Sequence, residues 1–284
     1  MNTACDIYCI GLIVANLPVR PVNKNVFDID VNLVDAIELL PGGDAMNEAI
    51  TLAKLGVNVG LIGKVGRDDF GKILIRCAND FGVNTGNIII DRDSKTSVCV
   101  VLIDENGKRN FLSFRGANNT LSVDDIDFSA LRKAKIINIG SIFALPMLDR
   151  GGLAEILSDA ASHHVITAAD MKYDSFNVGF DGIRHILPYI DYFMPSYDEA
   201  AYLTNESDPS RMADVLQEAG ANTVVIKLGK DGCYIRSKKE SYMLKPFDVD
   251  VVDTTGAGDN FVAGFLTGIL KGWDLRKTGI FANA

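Results

Sequence analysis

Between Lys135 and Leu228 the chain alternates short β-rich runs with helical ones, and this rhythm restricts the fold more than any other feature. Strands are expected at Lys135–Ile139, Val165–Ala169, Tyr192–Pro195 and Thr223–Leu228, and helices at Leu153–His163, Asp181–Leu187, Ser196–Leu203 and Pro209–Ala219. Alternation of this kind implies an α/β fold, a doubly wound and mainly parallel sheet with helices on both faces. The N-terminal part adds a buried strand at Ile7–Val14, a helix from Asp44 to a stop at Gly56, and a strand at Val57–Ile62. Asp68 then caps a helix whose Phe70, Ile73, Leu74, Cys77 and Phe81 recur at helical spacing before Gly82. The runs Ser97–Ile103 and Arg109–Phe114 flank an Asn-Gly pair and read as a hairpin. The segments 13–41 and 95–119 break the rhythm and form a small β-sheet standing off a single domain, 1–284. Such a sheet suits a lid over a site, or an edge used for dimerisation.

Twenty-eight basic against 37 acidic residues leave a net charge of −9, which argues against a protein that tracks nucleic-acid phosphates. The five cysteines are odd in number and lack metal-ligand spacing, so free buried thiols in a reducing compartment are expected. No signal peptide is evident, and the apolar helix Phe261–Leu270 is too short to span a bilayer. A cytoplasmic protein with no membrane partner is the expectation. The three histidines have no partners at spacings that suggest a triad.

A strand-like Val249–Val252 leads into Asp253-Thr254-Thr255-Gly256-Ala257-Gly258-Asp259, followed at once by the helical run Asn260–Leu270. Small residues leave the backbone open, so successive amides at a helix start can converge on one anion, helped by the helix dipole. Asp259 lies within that amide cluster, and a carboxylate beside a phosphate cradle suits phosphoryl transfer to a hydroxyl. A dinucleotide G-x-G-x-x-G fingerprint fails because Phe261 holds the third glycine position, and no Walker A loop occurs. Taken locally, a glycine turn capped by an ordinary N-terminal acid remains the competing reading.

With Gly42-Gly43-Asp44-Ala45-Met46-Asn47, Gly56, Gly63 and Gly66 ahead of that loop, the chain resembles the ribokinase-like (PfkB-type) carbohydrate kinases over nearly its whole length. The resemblance implies ATP and Mg2+ as cofactors and a small-molecule sugar as substrate. It makes Asp259 the base, with the amides of Gly256, Ala257 and Gly258 stabilising the transferring phosphoryl group. Gly42, Gly43, Asp44 and Asn47 would meet the sugar, with Asn16 standing where many relatives place an aspartate. Lys227-Leu228-Gly229-Lys230-Asp231-Gly232 resembles a strand end along the ATP phosphates, which makes Lys227, Gly229 and Gly232 nucleotide ligands. Pro195-Ser196-Tyr197-Asp198-Glu199-Ala200 resembles an N-x-x-E motif with Ser196 in place of the asparagine; Glu199 would organise Mg2+ through water. Asp253 and Thr255 correspond to part of a monovalent-cation site, so K+ is a candidate ion. Phe281–Ala284 resembles the start of a helix leading to an adenine-covering segment, which assigns Asn283 to the nucleotide; the sequence ends before that segment.

Arg115 resembles a lid arginine that reaches the sugar. In Asp170-Met171-Lys172-Tyr173-Asp174 an acid takes the place of a second arginine used by acid-sugar kinases, so Asp170 is a sugar contact and the sugar is neutral, a ketose or pentose. A nucleoside kinase on the same scaffold and a sugar-binding regulatory relative are the alternatives. A homodimer through the lid is a further expectation.

Overall fold

The computed structural model describes residues 4–251 and 253–284. Its centre is a nine-stranded sheet. From one edge the strands run Ser241–Leu244, Cys233–Arg236, Thr223–Lys227, Tyr192–Phe193, Ile166–Met171, Ile136–Ile142, Ile7–Ile10, Val59–Gly66 and Ile88–Asp91. All neighbours are parallel except those of the edge hairpin Cys233–Arg236 and Ser241–Leu244. Side chains of a strand alternate between faces. Accordingly Ile7 and Cys9 join one apolar cluster, with the helices Asp44–Lys54, Asp69–Asp80 and Ala257–Leu270, while Tyr8 and Ile10 join the other, with Leu153–Ser162 and Pro209–Glu218. The alternation expected from the sequence is therefore the observed one.

A second, smaller sheet runs in the order Ala36–Ile37, Val14–Arg20, Val98–Ile103, Arg109–Phe114, with Leu40–Gly42 also paired to Val14–Arg20. Its hairpin closes through Asp104 N–H to the Lys108 carbonyl at 3.0 Å, with Gly107 at φ +77°. Two expectations need correction. The run Ile7–Val14 is divided, because the chain leaves the large sheet at Gly11 and Val14 enters the small one. Residues 249–251 form no strand: Val249 and Val251 alternate with aspartates, are exposed, and have no neighbouring strand to pair with. Position 252 lies outside the described residues.

Capping explains the helix boundaries that position the site. Asp68 accepts from Gly71 N–H at 3.0 Å, and Ser196 starts the helix Tyr197–Thr204. The glycine pair Gly264 and Gly268 packs against the helix Leu275–Ala282 rather than the sheet, since a β-carbon at Gly268 would lie 2.7 Å from the Thr278 hydroxyl. All five cysteines are free. Among the described residues no helix is long and apolar enough to cross a membrane.

The helix Ala257–Leu270 is held against the sheet by Phe265, fully buried and edge-on to Tyr192 with ring centroids 5.6 Å apart. Phe265→Ala is expected to cost about 3–5 kcal/mol of unfolding free energy, the usual loss for a buried aromatic truncated to a cavity. Urea denaturation measures it.

Candidate active site

Gly256 adopts φ +74° and turns the chain into the helix Ala257–Leu270, where no side chain caps the first turn. Ala257 N–H turns back to the Thr254 carbonyl at 3.2 Å, so of the three amides expected to face an anion it is the one taken up by the turn. A β-carbon built on Gly258 would meet one neighbour within 4 Å, the Lys227 ammonium at 3.7 Å. The helix start is therefore an open cradle with a cation beside it, and both features suit an anion. Asp259 lies in the first turn and is 7% exposed. Its Oδ2 accepts a 2.6 Å hydrogen bond from Asn47 Nδ2.

Asn47 arrives on the helix Asp44–Lys54, which the Gly42–Gly43 turn introduces. Gly43 has φ +92°, and any side chain there would strike the Leu12 carbonyl. A side chain on Gly42 would collide with the Asn16 amide, so Asn16 lies directly over the turn. Asp44 is buried, accepts from the Ser141 hydroxyl at 3.1 Å, and pairs with the half-exposed Lys172 ammonium at 2.9 Å. Burial pushes the Asp44 carboxyl up to about 6, Lys172 opposing and Asp259 adding to the rise. Burial works against the Lys172 ammonium, but Asp44 and Asp259 hold it above its ordinary range.

Lys172 and Ser141 are the residues that sequence reasoning missed. Both follow strands whose ends were drawn too early, at Ala169 and Ile139; the strands run on to Met171 and Ile142. The carboxyl ends of parallel strands are where a crevice opens, and that rule marks both positions.

On the other flank, Lys227 forms an ion pair with Asp170. Asp170 also accepts from the Met171 amide at 2.8 Å and is only 4% exposed, so its oxygens serve Lys227 and the backbone rather than a sugar. Burial pushes the Asp170 carboxyl up to about 7, against the pull of Lys227 and with Glu199 adding to the rise. Glu199 and Ser196 form a capping box: Ser196 N–H donates to Glu199 Oε2 at 2.8 Å, and Glu199 N–H to Ser196 Oγ at 3.4 Å. A cavity of about 500 Å³ runs along this flank, between Ser196, Tyr197, Lys227, Gly229 and Asp231. Gly229, at φ +58°, has open space where a side chain would be, whereas Gly232 is required by the Leu244 carbonyl behind it.

Several expected ligands are engaged elsewhere. Arg115 bonds the Ala144 carbonyl at 3.3 Å and Ser175 Oγ at 2.8 Å, with its guanidinium 5.4 Å from the Phe176 ring centroid. Asp174 is buried and accepts from the Phe176 and Gly179 amides and the Tyr202 hydroxyl, so it projects no charge toward an acceptor. Asn283 donates to the carbonyls of Leu244 at 3.4 Å and Lys245 at 3.3 Å, closing its helix on the sheet edge. Asp253 Oδ1 accepts from the Thr255 amide and hydroxyl, both at 2.7 Å, and meets Arg109 at 3.2 Å. Arg109 also bonds the Thr255 hydroxyl. With its charge already matched by a guanidinium, this pair does not fit a monovalent cation.

Beneath the site, Glu48 accepts from Asn138 Nδ2 at 2.7 Å, while its Oε1 has no partner. Burial, reinforced by Asp259, Asp170 and Asp44, holds its carboxyl well above the usual range. Among the described residues no cluster of three carboxylate, imidazole or thiolate groups could hold a metal alone. Glu199 follows the cavity-lining Asp198 and one of its oxygens accepts from the Ser196 amide, so a lone carboxylate there fits an ion carried chiefly by phosphate oxygens.

Residues 5–284 match the model of the pfkB family carbohydrate kinases. A protein of Archaeoglobus fulgidus named an uncharacterized sugar kinase is 34% identical over 233 residues, 82% of this chain and 91% of that protein. The probable fructokinase-6, chloroplastic, of Arabidopsis thaliana is 31% identical over 265 residues, 88% of this chain and 69% of that protein. Among solved structures, the ribokinase of Thermotoga maritima superposes with a TM-score of 0.82 at 25% identity, covering 98% of this chain and 90% of that one. An E. coli protein in complex with ATP and Mg2+ superposes with a TM-score of 0.85 at 24% identity, over 98% of this chain and 90% of its own.

The Asp44–Lys172 pair generates a test. Lys172→Met removes the ammonium that holds the Asp44 carboxyl down, so Asp44 ionises only at higher pH. KM for the hydroxyl acceptor is expected to rise about tenfold at neutral pH, the equivalent of one lost charged hydrogen bond. The defect shrinks as pH is raised, and KM for the nucleotide stays unchanged; steady-state kinetics across pH measure both.

Proposed function

Because the chain belongs to the pfkB family of carbohydrate kinases, we propose that it transfers the γ-phosphoryl group of ATP to a primary hydroxyl of a small neutral sugar, a ketose or pentose. The observation that carries this reading is the 2.6 Å bond between Asn47 and Asp259, which joins the hydroxyl-binding turn to the carboxylate beside the amide cradle.

Asp259 takes the proton as the acceptor oxygen attacks the γ-phosphorus, the bond from that phosphorus to the β,γ-bridging oxygen breaks, and ADP leaves with the bond's electron pair. The amides of Gly256 and Gly258 face the charge on the transferring group, in a transition state where positioning and charge stabilisation carry most of the rate. Asn47 fixes the orientation of the Asp259 carboxylate and offers an amide to the sugar. Asn16, over the Gly42–Gly43 turn, and Asp44 supply further groups for hydroxyls. Lys227 and Gly229 line the phosphate side of the cavity, and Glu199 would hold Mg2+ through water; the ion supplies charge neutralisation at the phosphates. A neutral acceptor is supported by Lys172, the cation nearest Asp44, which is already paired. A ketose agrees with the likeness to a plant fructokinase.

The small sheet would close over the acceptor within one domain spanning 1–284. Its outer strands expose Ile37, Leu112 and Phe114 on one face, which we assign to a homodimer contact. Phe114→Asp is expected to convert a dimer to monomer in sedimentation equilibrium while leaving the fold intact by circular dichroism.

Asp259→Asn is expected to lower kcat at least about hundredfold, the low end of general-base contributions, with nucleotide and sugar affinity largely kept. ADP release with a panel of D-fructose, D-ribose, D-glucose and adenosine tests the reading. Turnover on adenosine alone would sink the sugar assignment.

A further inference from the structure

The resemblance around Pro195–Ala200 calls for an asparagine at position 196, and the chain has serine. The Ser196 hydroxyl caps its own helix by accepting from Glu199 N–H, so at this strand end a short hydroxyl held at the helix start stands where the amide would be. The adjacent strand brings a charged donor to the cradle. Ser196 and Lys227 are partners in a parallel β-bridge, which places the two side chains next to each other at the carboxyl edge of the sheet. The Lys227 ammonium reaches the space beside Gly258, where an open amide of the cradle lies. Its side chain is 12% exposed, and that of Asp170 is 6% exposed.

An ammonium carries three donors. One is bonded to Asp170 Oδ2. The other two are available to the cradle without breaking the ion pair. Asp170 is itself fixed from behind by the Met171 amide, so the lysine is oriented before any ligand arrives. Burial opposes the ammonium, but Asp170 and Glu199 keep it protonated and above its ordinary range.

We propose that Lys227 is a catalytic residue that donates to the transferring phosphoryl group from the strand beside position 196, replacing the amide that Ser196 lacks, and that Asp170 is its positioning residue. The proposal rests on the phosphotransfer reading above. Lys227 keeps its proton throughout: it lowers the charge on the equatorial phosphoryl oxygens while Asp259 accepts the proton from the acceptor. The effect is electrostatic and largest where negative charge is shared between the attacking and leaving oxygens.

The test uses the full chain with ATP and D-fructose, with D-ribose as second acceptor. Lys227→Met alone would leave Asp170 buried and unpaired, so the informative variant is Lys227→Met with Asp170→Asn. Its kcat is expected to fall about a hundredfold, the loss typical of one preorganised donor, while its affinity for a fluorescent ATP analogue and its melting temperature stay close to those of the unmodified enzyme. Adding Ser196→Asn keeps a good helix cap and returns an amide donor to the vacated space, so kcat is expected to recover about tenfold. A merely structural role for the ion pair would not respond to that third substitution. Unchanged kcat in the double variant, or a triple variant no faster than the double, overturns the proposal. If the unmodified enzyme transfers no phosphate to any acceptor, the failure lies instead with the kinase reading.

Discussion

The contact on which the rest of the site depends joins two helices from opposite ends of the chain. Asn47 donates to Asp259 at 2.6 Å, and one turn further along the first helix Thr51 donates to Asn260, the residue after Asp259, at 2.7 Å. The helices Asp44–Lys54 and Ala257–Leu270 therefore dock in a fixed rotational register, with polar groups meeting at the rim. Below that rim, Ala45, Met46, Ala49, Val262, Phe265 and Leu266 share one apolar cluster. Packing supplies the energy and the two hydrogen bonds supply the alignment. A base needs its carboxylate aimed at one hydroxyl, and a loop residue without such a partner would keep its side-chain freedom.

Charge is the second constraint. Asp44, Glu48, Asp170 and Asp259 are all buried around a space meant for a polyanion. Left unpaired they would repel both one another and the phosphates. Two lysines resolve this on opposite flanks, Lys172 against Asp44 and Lys227 against Asp170. Glu48 forms no ion pair among the described residues and burial holds its carboxyl well above the ordinary range, which favours the neutral form in the floor of the site. On the proposed reading the two pairs divide the labour, one lysine conditioning the acceptor side and the other the phosphate side.

The sequence made the parts of the site carried by backbone geometry easiest to read. Gly43 and Gly256 lie at positive φ, a requirement that leaves a glycine in the chain, and the helix starts they open were found from those glycines. Strand–helix alternation gave the large sheet for the same kind of reason, since burial on two faces imposes a visible pattern. What the sequence hid were pairings. Asp170, Asp174, Asn283 and Arg115 are residue types that suit ligands, and each has a protein partner separated from it by topology rather than by spacing. A buried carboxylate and a substrate-binding one look alike until their neighbours are known. Lys172 and Ser141 were passed over for the converse reason: their roles come from standing at strand ends whose true limits depend on register.

The small sheet bears on both ends of the cleft. Its strand Arg109–Phe114 begins with an arginine bonded to Thr254, Thr255 and Asp253, the segment leading into the cradle. Immediately beyond the strand, Arg115 bonds the Ala144 carbonyl and Ser175 at the opposite rim. Six extended residues span about 20 Å, so one nearly rigid rod touches both banks. The stretch made of 249–251 and 253–255 belongs to no strand, and its Val249 and Val251 are exposed. Its anchorage therefore comes largely from Arg109 and the turn around Asp253. It follows that the cradle and the lid are not independent: withdrawing the small sheet would release the loop that introduces Gly256 and, in the same motion, the far rim held by Arg115. On the proposed reading, an ordered phosphate side would accompany a covered acceptor side, which favours transfer of a phosphoryl group to a hydroxyl over water.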